Sequence, residues 1–484
     1  MVIQLVYTSI LARLIAPESF GLMGIAITAV GFAEIFSQIG IGPALVQRKE
    51  IHDQHITGAF YTSLILGLGF TLLFYALAPW ISRYYESPAL VDVIRVISIS
   101  FTLSAIAIVP RSLMIRAMNF KKFFIAGMVS IIGGNLIVGL TLAWLDYDIW
   151  AYVFALFSQN LLMTISFWIL NPVKINLKWE WKYTRQLIRY GGGSTLFNAF
   201  NYAGTRIDTL LVPKFIEGRS VESRMASAGQ YERSAYLMGL PITILGKLSD
   251  NVMFSGLSSL QEEKIRLRKA FFSAAYFIAL LVIPACIFLI LFAEEIVVIY
   301  LGRSYEAAIP VVQVLFIGVI FRSLIKLCDS VLRALDKLYT GSLIKIAFCV
   351  SMVLGILWLI PYGLTAVAWA VLGATLLQFI LMIGLSLKLI EAPVKRFFAS
   401  FKSALALGFV MLLVSIPCRY LFDFIDLPAF PSLCIAIFAN GLALFVVAWY
   451  MPFVFGRGDQ NVLLDVLKRL PKNKFVNSFI ARFK

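Results

Sequence analysis

Fourteen apolar stretches, most of them long enough to cross a bilayer as a helix, constrain the fold of this chain more than any other feature. A hydrocarbon core roughly 30 Å thick needs about 20 predominantly apolar helical residues. The chain is 60% hydrophobic and 14% charged, whereas soluble proteins average about 25% charged residues. We therefore predict an all-α polytopic membrane protein with about 14 transmembrane helices. The predicted spans are residues 2–15, 20–45, 57–81, 89–110, 123–145, 149–170, 188–215, 229–254, 270–299, 308–332, 341–361, 364–388, 403–421 and 431–453.

Positive charge alternates between the links that join these spans. Of the 42 Lys and Arg residues, 26 lie in every second link and in the C-terminal segment, and 7 lie in the opposite links. Cytoplasmic loops of membrane proteins carry the excess of Lys and Arg, so both termini are predicted to be cytoplasmic. The same bias explains the net charge of +16 without a nucleic-acid partner. The regular alternation also supports the count of fourteen spans.

The two halves of the chain resemble each other. APESFGLMGIAITAV and GPALVQRKEIHDQHITGAF in the first half correspond to SAGQYERSAYLMGLPITIL and FSGLSSLQEEKIRLRKAFF in the second. An even number of spans separates the copies, which predicts a parallel repeat. We expect two pseudo-symmetric six-helix lobes plus two C-terminal helices. The expected boundaries are 1–170 for the N-lobe, 171–187 for a cytoplasmic linker, 188–390 for the C-lobe, 391–455 for the last two helices and 456–484 for a basic cytoplasmic tail. Because the first span is short, we also expect the chain to start late relative to its initiator.

The span 308–332 carries a stripe of charge. Its four charged side chains recur at helical spacing and share one helix face; they are Arg322, Lys326, Asp329 and Arg333. A charge at the centre of a membrane helix costs about 2.5–3.5 kcal/mol on insertion scales, and normally faces a partner or a water-filled path. Asp329 can pair within the helix with Lys326 or Arg333, and the stripe stays positive in either case. The stripe predicts a cationic cavity for an anionic substrate or, alternatively, a structural ion pair with an acid on another helix.

A second polar stripe follows the span 188–215. Its members also share one helix face; they are Ser194, Asn198, Asn201, Thr205 and Asp208. Amides and hydroxyls donate and accept hydrogen bonds, which suits the hydroxyls of a sugar. The alternative is that these groups hold helices together, as polar residues do in membranes. Arg206 lies on another face of the same helix and is a further candidate for the substrate cavity.

Two more charged residues are candidates for the transport path. Arg233, at the predicted periplasmic end of the span 229–254, is assigned to the substrate path, with interfacial anchoring as the alternative. Glu34 and Asp208 are candidates for binding a coupling H⁺ or Na⁺, because burial favours the protonated form of a carboxyl group. The alternative for Glu34 is an ion pair with Arg95 or Arg322.

Six segments, in this order along the chain, resemble polysaccharide exporters: LARLIAPESFGLMGIA, GIGPALVQRKE, IVPRSLMIRAMNFKK, YAGTRIDTLLVPKF, SSLQEEKIRLRKAFF and IYLGRSYEAAIPVV. Together with fourteen spans, this set is similar to the Wzx-type branch of the multidrug/oligosaccharidyl-lipid/polysaccharide flippase superfamily, close to the colanic-acid exporters. The resemblance implies two lobes around a central cavity, in a bacterial inner membrane. It implies transfer of an undecaprenyl-diphosphate-linked oligosaccharide from the cytoplasmic to the periplasmic leaflet, for O-antigen, capsule or exopolysaccharide synthesis. Membrane lipids and the polysaccharide polymerase machinery are the other expected partners.

Other classes of function fit the sequence less well. His52 and His55 lack a third ligand, the five cysteines form no CxxC pair and no GxxxxGK[ST] motif occurs, so we predict no metal, cofactor or nucleotide. The links are too short for the catalytic loops of a membrane glycosyltransferase or polymerase, so we do not expect an enzyme. A MATE-like cation-coupled drug antiporter would need an acidic cavity. A lipid II flippase shares the diphosphate linker and is the closer alternative.

Overall fold

Helices account for all the regular structure of the chain in its described part. The computed structural model describes residues 2–48, 50–176, 179–218, 220–258, 263–335 and 337–450. Eleven helical segments within these ranges are long and apolar enough to cross a membrane. The prediction of an all-α polytopic membrane protein is therefore confirmed.

The chain forms two compact units, of which the first comprises residues 1–233 and 352–364. A π-helical segment, Ile131–Gly139, joins two of its helices. Its core includes the fully buried side chains of Met23, Ile25 and Leu90. The helices in residues 1–233 are α1 (Val2–Leu14), α2 (Pro17–Gln38), α3 (Ile41–Gln47), α4 (Asp53–Tyr85), α5 (Leu90–Arg116), α6 (Phe120–Ser130), α7 (Leu140–Trp144), α8 (Ile149–Leu170), α9 (Trp181–Phe215) and the start of α10 (Val221–Ser258).

The second unit comprises residues 234–351 and 365–484. In it α11 packs against both α13 and α17, and α17 packs against α18. Besides the rest of α10, its helices are α11 (Lys264–Leu291), α12 (Ala293–Tyr300), α13 (Ile309–Ala334), most of α14 (Leu338–Leu359), α15 (Leu364–Leu389), α16 (Val394–Ala399), α17 (Lys402–Phe424) and α18 (Ala429–Tyr450).

Eleven of the fourteen predicted spans coincide with helical segments that are long and apolar enough to cross a membrane. The other three correspond to α1, α9 and α10. Helix α1 has only 13 residues, and the polar and charged residues of α9 and α10 lower their hydropathy. The count of fourteen therefore stays a prediction.

Turn residues interrupt two of the predicted spans and divide each of them into two helices. The span 20–45 breaks between α2 and α3, where Ile39 and Gly40 have φ values of 37° and 62°. Pro43 explains this break, because its ring clashes with the carbonyl group four residues earlier, which belongs to Ile39. The span 270–299 breaks at Phe292, just before the acidic start of α12.

A glycine crossing holds α2 against the start of α10 in the first unit. A Cβ atom on Gly21 would overlap the Met225 carbonyl group, and one on Gly229 would overlap the carbonyl group of Pro17. Small residues let helix backbones approach this closely within a membrane. The crossing brings Glu232, one turn along α10, against α2, where a Cβ on Gly24 would lie 3.1 Å from its Cγ atom.

We predict that Gly229→Ala lowers the thermal midpoint of the purified protein, because overpacking of a tight contact costs about 1–3 kcal/mol. The measurement is the unfolding transition in detergent, followed by intrinsic fluorescence. Gly373→Ala on α15 is the control, since a Cβ there meets no atom within 4 Å. An unchanged midpoint for Gly229→Ala would contradict the tight crossing.

Candidate functional site

The charged stripe of α13 lies on a helix that is otherwise mostly buried. Arg322, Lys326 and Asp329 are half-buried, whereas Arg333, at the end of the helix, is exposed. The Lys326 ammonium group donates a hydrogen bond to the main-chain carbonyl of Ile242 in α10, at 3.4 Å. The second unit thus brings the stripe beside α10.

Asp329 pairs with a residue that the sequence analysis did not single out. Lys345 of α14 is 2% exposed, and its Nζ atom lies 3.3 Å from Asp329 Oδ1 and 3.4 Å from Oδ2. An ion pair between helices therefore exists, but its acid, Asp329, lies on α13 and its base on α14, whereas the alternative considered for the stripe had the acid on another helix. The stripe and Lys345 together contain four cations and one carboxylate, a formal net charge of +3.

A signal for Lys345 was present in the sequence. It is an isolated cation in the apolar segment SLIKIAFCV. An ionisable residue inside a membrane span indicates a partner or a functional site. The span 341–361 could have been paired with Asp329 on that ground, although nothing in the spacing shows which helix packs against α13.

The polar stripe of α9 divides into an exposed and a buried part. Asn198, Asn201 and Thr205 are exposed, and Arg206 is half-buried. The side chain of Ser194 lies outside the described residues. The hydroxyl group of Thr205 donates to main-chain carbonyls of its own helix, those of Asn201 and Tyr202, at 3.0 Å. The exposed part of the stripe therefore consists of Asn198, Asn201 and Thr205, and Arg206 lies on another face of the helix.

Asp208 belongs to the buried part of the stripe and is 3% exposed. Its Oδ2 atom accepts a hydrogen bond of 2.7 Å from the Tyr231 hydroxyl group of α10. Its Oδ1 atom accepts from the main-chain N–H of Thr209 at 2.9 Å. These contacts match the alternative interpretation of the stripe, in which polar groups hold neighbouring helices together.

Glu34 of α2 lies in a polar cluster of the first unit. Its Oε1 atom accepts hydrogen bonds from Gln38 at 3.1 Å and from the Ser104 hydroxyl group of α5 at 2.8 Å. Tyr202 of α9 interacts electrostatically with both Glu34 and Arg206. The first unit therefore surrounds the Glu34 carboxylate with neutral hydrogen-bond donors.

Arg95, one predicted partner of Glu34, has other contacts. Its Nη1 atom lies 3.7 Å from Asp92 Oδ1, one turn earlier on α5. Its guanidinium also lies 4.6 Å from the centre of the Tyr75 ring. The ion pair between Glu34 and Arg95 is therefore replaced by a local pair on α5.

Arg233 is buried inside the first unit and is 2% exposed. Its Nε atom lies 2.7 Å from Glu232 Oε2. Its guanidinium lies over the ring of Phe20 at 4.0 Å and over that of Tyr152 at 5.7 Å. A cation held by a carboxylate and two aromatic faces is satisfied by the protein itself. The assignment of Arg233 to the substrate path stays a prediction, and we leave this residue out of the substrate site proposed below.

The two histidines take part in local hydrogen bonds. The main-chain N–H of His52 donates to His55 Nδ1 at 3.2 Å, and His55 Nε2 lies 3.2 Å from Gln186 Oε1. Gln186 also accepts a hydrogen bond of 2.6 Å from Arg48. These contacts tie the start of α4 to α9. Among the described residues, no group of three or more His, Cys, Asp or Glu side chains could hold a metal ion.

Comparison with known families gives a match over most of the chain. The family described as polysaccharide biosynthesis protein matches residues 10–310. Lipopolysaccharide biosynthesis protein WzxC from Escherichia coli (strain K12) is 23% identical, over 68% of this chain and 66% of that protein. Teichuronic acid biosynthesis protein TuaB from Bacillus subtilis (strain 168) is 23% identical, over 73% of this chain and 74% of that protein. The aligned part of this chain spans about two thirds to three quarters of the length of these two relatives.

Solved structures of transporters share the fold. Lipid II flippase MurJ, in an inward closed conformation, has a TM-score of 0.73 at 16% identity, covering 93% of this chain and 97% of that chain. An inward-facing multidrug resistance MATE family transporter has a TM-score of 0.66 at 14% identity, covering 80% and 94%. The chain belongs to the polysaccharide biosynthesis protein family, and its similarity to WzxC and TuaB supports the resemblance to Wzx-type exporters noted in its sequence.

Proposed function

We propose that this protein flips an undecaprenyl-diphosphate-linked oligosaccharide from the cytoplasmic to the periplasmic leaflet by alternating access. The observation that carries the proposal is the half-buried cationic stripe of α13, with its net charge of +3 when Lys345 is included. A diphosphate is the anionic part of such a substrate. A guanidinium binds phosphate oxygens through two parallel hydrogen bonds, which makes Arg322 the principal proposed ligand, assisted by Lys326.

The proposed sugar contacts lie on α9. Asn198, Asn201 and Thr205 are exposed on one helix face, and their amide and hydroxyl groups match sugar hydroxyls without the cost of burying a charge. Arg206, on another face of the same helix, is the further cation proposed for the substrate cavity. The prenyl chain stays in the lipid throughout, because its burial there is favourable for every methylene group.

Glu34 is the proposed coupling residue. It is half-buried and accepts hydrogen bonds from two neutral donors, Gln38 and Ser104, so a proton or Na⁺ would meet a carboxylate with free acceptor capacity. Asp208 was the other candidate. It is the weaker one, because Tyr231 and the Thr209 amide already occupy both of its oxygens.

The proposed cycle starts with the transporter open to the cytoplasm. Arg322 and Lys326 attract the diphosphate while the α9 face holds the sugars. H⁺ or Na⁺ binding at Glu34 accompanies closure of the cytoplasmic side and opening of the periplasmic side, and the substrate leaves when that charge state resets. In this proposal both termini are cytoplasmic, and the released repeat passes to the polysaccharide polymerase machinery.

The rival functions fit these residues less well. Cationic drugs, the substrates of a drug antiporter, would be repelled by the stripe and Lys345, which together carry a formal net charge of +3. A lipid II flippase would use the same cationic groups, because its substrate has the same diphosphate linker, and it stays the closer alternative.

We predict that Arg322→Gln abolishes export while Arg333→Gln, at the exposed end of the same helix, preserves it. Loss of a bidentate contact to phosphate should lower export at least about tenfold. The measurement is surface polysaccharide in a bacterial strain that lacks its own exporter of a colanic-acid, capsule or O-antigen repeat, at matched protein levels. Full export by Arg322→Gln would refute the proposed site. Resistance to cationic dyes without any restored export would favour the antiporter.

We predict that Lys345→Met destabilises the protein by roughly 3–5 kcal/mol, because it leaves the Asp329 carboxylate without its buried partner. Replacing both residues, as Lys345→Met with Asp329→Leu, should restore most of the loss. The thermal midpoint in detergent measures both effects, with Lys337→Met as the control at an exposed lysine. Equal midpoints for the single and double variants would argue against the pair.

We predict that Glu34→Gln removes the response of transport to an ion gradient, because glutamine keeps the hydrogen-bonding shape but does not bind a proton or Na⁺. The rate of substrate transfer in proteoliposomes would be compared with and without imposed pH and Na⁺ gradients. Glu50→Gln, at an exposed carboxylate, is the matched control. Coupling through Glu34 is excluded if a gradient still accelerates the Glu34→Gln protein as much as the unchanged protein.

A further inference from the structure

One surface of the second unit combines exposed cations with exposed apolar side chains. It is built from the start of α11 and from the short helix α16 between α15 and α17. We name it the α11–α16 patch, consisting of Lys264, Ile265, Val394, Lys395, Arg396 and Phe398.

Ion pairing and hydrogen bonding hold the two segments of the patch together. Lys264 Nζ lies 2.5 Å from Glu391 Oε1, and Arg268 Nη1 donates a hydrogen bond of 2.8 Å to the main-chain carbonyl of Glu391. The hydrogen bond from the Lys264 ammonium group holds the pKa of Glu391 below its usual range. Glu391 is therefore ionised at neutral pH and joins the link after α15 to α11.

Aromatic contacts between α16 and α11 lie beneath the exposed residues of the patch, on the buried side of α16. Phe397 is fully buried and stacks on Phe271 of α11, with 6.2 Å between ring centres. The Arg396 guanidinium lies 5.5 Å from the ring centre of Phe272. Because these contacts anchor α16 to α11, the patch is a defined surface of the folded unit.

The patch lies in a strongly cationic region. Residues 263–269 and 388–402 contain eight Lys and Arg residues against two acids, Glu263 and Glu391. Both acids are already in ion pairs, Glu263 with Arg266 at 3.0 Å and Glu391 with Lys264. An excess of six cations is left for an external anion.

Apolar side chains lie between these cations on the same surface. Ile265 is 65% exposed, Val394 55% and Phe398 57%. Cations that alternate with exposed apolar residues, next to helices long enough to cross a membrane, are typical of the interface where lipid headgroups meet acyl chains. The apolar groups enter the acyl region and the cations meet the phosphates.

We propose that the α11–α16 patch binds the headgroup phosphates of anionic bilayer lipids. This site goes beyond the proposed transport function and lies apart from the α13 stripe in sequence and in its contacts. An anionic lipid can contact both the cations, through its phosphate, and the exposed apolar side chains, through its acyl chains. An acidic protein segment would contact the cations alone. The phosphate of an anionic lipid resembles the diphosphate of the proposed transport substrate. The test must therefore distinguish binding of bilayer lipid from binding of substrate.

The test compares lipid binding by three forms of the purified full chain: the unchanged protein, a patch variant and a control variant. The patch variant replaces one lysine of the patch and two further exposed lysines of the cationic region around it, as Lys395→Gln, Lys388→Gln and Lys402→Gln. The control variant is Lys121→Gln, Lys174→Gln and Lys182→Gln, at exposed lysines of the first unit, which changes the net charge equally. The probe is phosphatidylglycerol titrated in detergent and followed by native mass spectrometry, with phosphatidylcholine as the zwitterionic reference.

We expect the patch variant to lose phosphatidylglycerol affinity at least about tenfold, from the electrostatic contribution of each surface cation. We expect the control variant to lose much less, and phosphatidylcholine binding to be the same in all forms. Phe398→Ser should also weaken phosphatidylglycerol binding, although it leaves the charge unchanged. Equal losses in the two lysine variants, or no loss in either, would overturn the proposal.

A second arm distinguishes the lipid from other ligands. Undecaprenyl diphosphate that displaces phosphatidylglycerol from the patch would assign the surface to the substrate and overturn the proposal. Unchanged phosphatidylglycerol binding, together with reduced export by the patch variant in cells, would indicate a protein partner and also overturn it. Lipid binding is measured without transport, so failure of the proposed flippase function would leave this result standing.

Discussion

The cost of placing charge among apolar helices is the constraint on which the rest of this structure depends. Each charged residue of such a helix must find a partner or reach water, and this protein uses both solutions. Asp329 has Lys345 across a helix contact, and Arg233 has Glu232 and two aromatic rings. On the α13 stripe, whose cations outnumber its acids, Arg322 and Lys326 are half-buried, Lys326 donates to the Ile242 carbonyl, and Arg333 is exposed. The balance of the stripe, more than any single residue, favours an anionic substrate.

Much of the fold could be predicted from the sequence, because the length of an apolar stretch, which is read directly from the sequence, determines whether a helix can cross a membrane. Eleven of the apolar stretches correspond to helices that are long and apolar enough to cross a membrane. Apolar length failed at Ile39 and Gly40, since hydropathy does not register the backbone break that Pro43 imposes. It was also least decisive for α9 and α10, whose polar residues lower the same hydropathy that identifies a span.

The candidate site was only partly predictable. Helical spacing correctly put the charges of α13 on one face, but the face alone does not say which neighbour it meets. Lys345 lies on a different helix from Asp329, and Asp208 is buried with a hydrogen bond from Tyr231 of α10, whereas other members of the α9 stripe are exposed. The burial of Arg233 could not be predicted for the same reason, since its guanidinium contacts Phe20 of α2 and Tyr152 of α8, which are far away in sequence. Pairing between distant helices is the information that one sequence lacks.

The central claim is that the α13 stripe recognises a diphosphate on a prenyl lipid. The most direct measurement is the binding of undecaprenyl diphosphate and of uncharged undecaprenol to the purified protein and to its Arg322→Gln, Lys326→Gln double variant. We predict much tighter binding of the diphosphate to the unchanged protein, and nearly equal binding of the two lipids to the variant, because the preference comes from charge. Equal binding of both lipids by the unchanged protein, or a preference that survives the double substitution, would contradict the account.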